Sequence, residues 1–251
     1  LEITEMYTQE LAGNSVLPIS YPLANIISEY KFENNVLDTV GTNNGTATAI
    51  TYVTGLVNKA ADFNGSTSIV EIPDSASLDF SNNKIFSFSG LVYLDQSAGV
   101  SADIIVEKFD IGISQYEMII FYRFDTKKFR IQLYGDKSTN ATNRIGVETT
   151  ATFTTTGWKH VTYTYDGGTT VSSLKIYVDG VLQALTTTFS ETFVSIENST
   201  AQVTIGGRRD GAVTNIWNGP LDCFRFWDKE LTQVETTAIA TAELAGTDIN
   251  P

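Results

Sequence analysis

An all-β sandwich, with two antiparallel sheets in jelly-roll order and one short C-terminal helix, is the architecture that this sequence predicts. Three observations carry that reading. Short segments alternate apolar and polar residues with a period of two, the repeat of a pleated strand. Gly, Asn and Asp clusters separate them at turn-like intervals. Only one segment, Thr232-Gln233-Val234-Glu235 and the residues after it, carries a helix-start signal, the capping box in which Thr and Glu satisfy free N–H groups.

In chain order, residues 1–24 are set apart as a linker or attachment segment. Thr4 to Ala12 could form a short helix, and Pro18 and Pro22 punctuate an extended link. Strands follow at Ile27 to Phe32, Ala60 to Phe63 and Ser68 to Ile72, the last two joined by an Asn64-Gly65 turn. Phe86 to Leu94, Ile104 to Lys108 and Glu117 to Phe124 come next. Asp125 to Lys128 turns the chain into Phe129 to Tyr134, where Phe129, Ile131 and Leu133 share a core face and Arg130, Gln132 and Tyr134 share a wet one. The central meander is Gly157 to Gln183. Val161, Tyr163 and Tyr165 alternate with His160, Thr162 and Thr164; Leu174, Ile176 and Val178 alternate with Lys175, Tyr177 and Asp179; and Asp179-Gly180 suits a two-residue primed turn. Strands at Phe189 to Ile196, Gln202 to Ile205 and Leu221 to Trp227 complete the set, with a Gly-rich loop at 206–211 and the helix over about Thr232 to Leu244.

The length of 251 residues suits one large β domain over residues 25–251. With 42% hydrophobic and 18% charged residues the chain reads as globular. A net charge of −13 argues against nucleic acid or an anionic membrane as partner, since phosphate binding needs clustered cations. The longest apolar run, Met118 to Tyr122, is too short to insert in a bilayer. Cys223 is the sole cysteine and reads as a buried thiol, so no disulfide forms within the chain. The start at Leu1 without Met fits a leader or upstream domains having been removed.

Three stretches in order carry a family resemblance. They are YKFENNVLDTVGTNNGTA followed by Ala60 to Gly65 and Val70 to Asp74; Gly157-Trp158-Lys159-His160-Val161 through Leu174 to Gly180; and Trp217 to Trp227. Together they resemble the laminin-G-like, concanavalin-A-like lectin jelly rolls over about residues 25–245. Leu91 stands where that family usually has a Trp. The resemblance implies a non-catalytic module of a secreted, cell-surface or virion protein that binds a glycan or a surface protein. A lectin-like carbohydrate-binding role leads. An adhesive or structural virion component, such as a fibre or capsid decoration, is the alternative, oligomeric or attached through residues 1–24. A glycosidase is third. Hydrolytic relatives carry a Glu-x-Asp-x-x-Glu strand, and neither Glu71 with Asp74 nor Asp103 with Glu107 has that spacing.

The resemblance also implies a structural Ca2+. Asp222 matches the closing-strand carboxylate, and the loop with Asp38, Asn43, Asn44 and Gly45 matches the early one; a hard cation wants such carboxylate, amide and backbone oxygens. For a ligand, Arg208, Arg209, Asp210 and Trp217 in and beside the Gly-rich loop, with Arg130 and Tyr134 on one strand face, offer an aromatic surface and fixed polar groups. His160 lacks a nucleophile partner and reads as structural. The sequons at Asn44, Asn64, Asn140 and Asn198 matter only in a eukaryotic source.

Overall fold

The computed structural model describes residues 21–97, 102–110, 112, 114–135, 143–210 and 212–251. The helix expected at Thr4 to Ala12 lies outside them. Two eight-stranded sheets face one another. The first contains β1 (Ile26–Tyr30), β3 (Thr51–Thr54), β4 (Lys59–Asn64), β6 (Phe86–Leu94), β11 (Gly157–Tyr165), β12 (Leu174–Val178), β13 (Val181–Leu182) and β18 (Asn218–Trp227). Its order is β13-β12-β11-β6-β18-β4-β3, with β1 also on β18. The second contains β2 (Thr46–Thr48), β5 (Ile69–Ile72), β7 (Ala102–Asp110), β8 (Gln115–Arg123), β9 (Lys128–Tyr134), β10 (Arg144–Thr149), β14 (Leu185–Ser190) and β15 (Val203–Ile205). It runs β14-β10-β9-β8-β7-β15-β5-β2. A separate hairpin pairs β16 (Arg208–Asp210) with β17 (Ala212–Thr214), and α1 spans Gln233–Leu244.

The alternation read from the sequence is what fills the space between the sheets. Val161, Tyr163 and Tyr165 of β11, Phe86 and Phe88 of β6, Phe224 and Phe226 of β18, and Phe129, Ile131 and Leu133 of β9 all join one core. Phe88 and Phe224 meet edge-on with ring centres 5.0 Å apart, the favoured aromatic geometry. The Asp179-Gly180 turn takes positive φ at both residues (52° and 75°), as a type I′ hairpin requires.

A bulge in β18 shapes the middle of the first sheet. Asp222 pairs with Leu91 and Arg225 with Ser89, so one extra residue is accommodated, and Cys223 takes φ 53°. The bulge turns Phe224 onto Gly90, where a Cβ would lie 2.3 Å from the ring. Gly90→Ala is therefore expected to lose about 1–3 kcal/mol through overpacking. A thermal melt reads the effect, and an unchanged midpoint would show that the ring has room to move.

The two outer faces differ. Helix α1 covers the first sheet: Thr232 and Glu235 form the expected capping box, Ile239 and Ala242 pack with Trp227, and Gln233 Nε2 and Thr237 Oγ1 both donate to the Gly180 carbonyl. His160, Thr162 and Thr164 are thereby buried. On the second sheet, the face of β9 expected to be wet is buried at Gln132 and Tyr134, because a second apolar cluster lies on it.

Two further expectations need correction. The strand expected at Phe189 to Ile196 begins earlier, at Leu185, and the chain leaves the sheet after Ser190. Its Thr186–Thr188 run sits on an exposed edge, where apolar alternation is not required. The Gly-rich segment is not a plain loop but carries the β16–β17 hairpin. Strands β2 and β3 were not legible because they are short, Thr-rich and exposed.

Candidate functional site

The outer face of the second sheet is built from side chains that the sandwich core does not use. On β8, Met118, Ile120 and Tyr122 point into the core, so Ile119 and Phe121 point out. A register shift opposite Lys108 and Phe109 inserts an extra residue in β8, which turns Tyr116 outward as well. Phe109 stacks on Tyr116 with centres 4.4 Å apart and lies 5.3 Å from Tyr134. The Tyr134 hydroxyl donates to Gln132 Oε1 at 2.7 Å, and burial pushes its ionisation up to about 12, so it stays a neutral donor.

Polar groups ring this cluster. Arg208 Nε and Nη2 both donate to Glu107, at 3.1 and 2.9 Å to Oε2, and its guanidinium sits 4.6 Å above the Phe109 ring. Arg209 forks onto Glu71 at 2.9 and 2.5 Å. Arg130 donates to Glu148 and lies over Phe121. Burial alone would raise the Glu148 carboxyl, but bonds from Arg130 and Lys128 outweigh it and hold it below the usual range. Between these groups lies a cleft of about 190 Å³, lined by Ile104, Phe109, Ile119, Phe121, Gln132, Tyr134, Arg208 and Asn215.

The structure thus brings Tyr134, Arg130 and Arg208 to one face, with Arg209 beside it. Asp210 ends β16 opposite Ala212, and its side chain lies outside the described part. Trp217 is a correction. It is fully buried in the core against Phe124, because its N–H and carbonyl pair with Gly206 and Gly65 and draw it between the sheets. It presents no ring to a ligand. Sequence reasoning misses Phe109, Tyr116, Ile119, Phe121 and Asn215. The signal was in the apolar run Met118 to Tyr122, since a strand apolar on both faces has a second surface to cover.

The second group of expected residues forms a closed loop. Asp38 Oδ1 accepts from the backbone N–H of Glu29, Val40 and Gly41, and Oδ2 accepts from Ser28 Oγ and Asn43 N–H, all within 2.8–3.1 Å. Burial works against its charge, but these donors hold the carboxyl below its usual range. Asn44 Oδ1 accepts from the Asp38 N–H, and Gly45 packs where a Cβ would meet Val70 at 2.8 Å. Asp222 lies elsewhere, with Oδ2 on the Val57 N–H and Oδ1 unpartnered.

The family model of the concanavalin A-like lectin/glucanases superfamily matches residues 64–236. The chain belongs to this superfamily. No curated protein sequence matches it. Among solved structures it is similar to the binding domain of Paraclostridial Mosquitocidal Protein 1 (TM-score 0.65, 17% identity, 86% of this chain and 52% of that one). Another is domain 4 of AbnA, a GH43 extracellular arabinanase from Geobacillus stearothermophilus, in complex with arabinotriose (0.58, 22%, 86% and 98%). A third is Trypanosoma rangeli sialidase in complex with 2,3-difluorosialic acid (0.67, 14%, 98% and 37%). The chain spans about half the toxin binding domain and just over a third of the sialidase. At these identities the likeness shows the fold. Among the described residues no helix is long and apolar enough to cross a membrane.

The superfamily resemblance implied calcium on Asp38, Asn44, Gly45 and Asp222, and the Asp38 loop does not fit it. Both Asp38 oxygens already have protein donors, and an ion there would have to displace them. Among the described residues no group of three or more His, Cys, Asp and Glu is placed to hold a metal. Asp222 is packed among Val57, Leu91 and Cys223. Burial pushes its carboxyl up to about 7. Because the folded-state value exceeds the unfolded one, its contribution is fully present below about pH 4 and is lost as pH rises through about 7. In chelator, Asp222→Asn should therefore gain on the parent as pH rises from about 4 to about 7, read as a widening gap in melting temperature. A gap that stays constant with pH would remove this account.

Proposed function

We propose that the chain is a non-catalytic carbohydrate-binding module of an extracellular protein, with its ligand in the cleft beside Phe109, Gln132, Tyr134 and Arg208. One observation carries the reading: the second sheet has an aromatic and hydrogen-bonding cluster on the face that its core does not need. Buried aromatics with a few fixed polar groups suit a sugar, which offers both C–H faces and hydroxyls. The arabinotriose held by the similar arabinanase domain supports the same class of ligand. A non-catalytic role fits the carboxylates around the cleft. Hydrolysis needs one carboxyl kept protonated near neutrality. Glu107, Glu71 and Glu148 are each paired with an arginine, and Glu148 is held low.

A glycan array followed by calorimetry tests this. Binding is expected in the wild type, and Gln132→Ala should weaken it about tenfold or more by removing a cleft hydrogen-bonding group. Absence of binding at millimolar sugar, with stable capture of a surface protein instead, would replace the lectin reading by the adhesive one. Release of reducing sugar from a bound polysaccharide would overturn the non-catalytic part.

A further inference from the structure

We infer that the site takes an uncharged oligosaccharide of at least two units, laid across the strands from β9 to β15; this rests on the carbohydrate-binding reading above. Phe109 is a wall shared by two depressions. One is the cleft over β9, β8 and β7. The other, about 120 Å³, lies on the far side of the ring and is lined by Asp110, Thr200, Gln202, Thr204 and Arg209. In the sheet the order is β9-β8-β7-β15, so the pair of depressions crosses three strand spacings, roughly 14 Å. That exceeds one sugar ring and follows the line of a short chain. Phe109 cannot serve as a stacking platform, because Tyr116 and Arg208 occupy its surroundings; it divides the path into two subsites.

Charge selects the class. The two guanidiniums nearest the path are each matched by a carboxylate, Arg208 by Glu107 and Arg209 by Glu71. An acidic sugar would have to compete for Arg208 with Glu107, whose side chain is fully buried, and disrupting a buried ion pair is costly. The overall charge of −13 repels an anion further. Neutral hydroxyls carry no such penalty and can hydrogen-bond to exposed groups such as Thr200 and Gln202 that line the second depression.

Calorimetry with arabinotriose, cellotriose and maltotriose, each against its own monosaccharide, and with trigalacturonate, tests the inference. At least one neutral trisaccharide should bind about tenfold or more tightly than its monosaccharide, and more tightly than trigalacturonate. Thr200→Trp, at an exposed position of the second depression, should collapse the trisaccharide-to-monosaccharide ratio towards one. Equal affinity for monosaccharide and trisaccharide would overturn the two-subsite arrangement. Salt-sensitive preference for trigalacturonate would overturn the neutral class while leaving the carbohydrate-binding reading standing. If no sugar binds, both fall together.

Discussion

Replacing Arg225 by Met should lower the melting temperature by on the order of 10 °C at neutral pH. The guanidinium is fully buried beneath α1 and faces three carboxylates. Its Nε meets Glu29 at 2.5 Å, Nη2 meets Asp248 at 3.1 Å, and Nη1 bonds Glu243. Glu29 and Glu243 are fully buried, and leaving them without that cation costs about 3–5 kcal/mol, while Asp248 keeps Lys31 at 2.8 Å. For a domain of this size each kcal/mol moves the midpoint by roughly 2–4 °C. Arg225→Lys keeps the charge but not the planar fork, and should fall between the two. Calorimetric melts at neutral pH check this; a variant as stable as the parent would mean that the network contributes little.

Asp38→Ala should cost about 3 kcal/mol, because five donors lose their acceptor at once. A buried donor left unmade costs roughly 1–3 kcal/mol, and those of Val40 and Gly41, at exposed residues, recover part of this from water. Wild-type stability should also show this group. With its folded-state ionisation below the ordinary value, Asp38 stabilises the fold above about pH 4, and the contribution is lost as pH falls through the lower folded value. Urea melts of the parent and Asp38→Asn against pH measure both effects. Asn keeps one oxygen for three N–H groups but turns the other position into a donor facing Ser28 and Asn43, so an intermediate loss is expected. Equal stability of Asp38→Ala and the parent would show that water replaces the carboxylate without cost.

Much of the fold was legible because strand alternation is local. Val161, Tyr163 and Tyr165 had to share a face, and the Asp179-Gly180 turn, the Thr232 capping box and the buried Cys223 each follow from residues a few positions apart. The site was legible only in part. Arg130, Tyr134 and Arg208 do reach one face, but Trp217 next to the same Gly-rich segment is core. Its sequence neighbourhood cannot distinguish those positions, because the backbone bonds that draw it inward come from Gly206 and Gly65. Asp38 fits a cation loop by composition, yet its own loop and β1 supply all of its partners.

The amino-acid sequence by itself determined which residues could share a face, where most strands begin and end, and that the one cysteine would be buried. Tertiary structure alone decided what covers each outer face. Period-two patterning assigns side chains to two faces but says nothing about what arrives from elsewhere in the chain. Here α1 docks on the first sheet through Glu243, which bonds Arg225 beside Glu29 and Asp248, residues that only folding brings together. The bulge opposite Lys108 and Phe109 turned Tyr116 outward and left the second sheet with an aromatic cleft. Coverage and register are long-range properties, and they placed the candidate site.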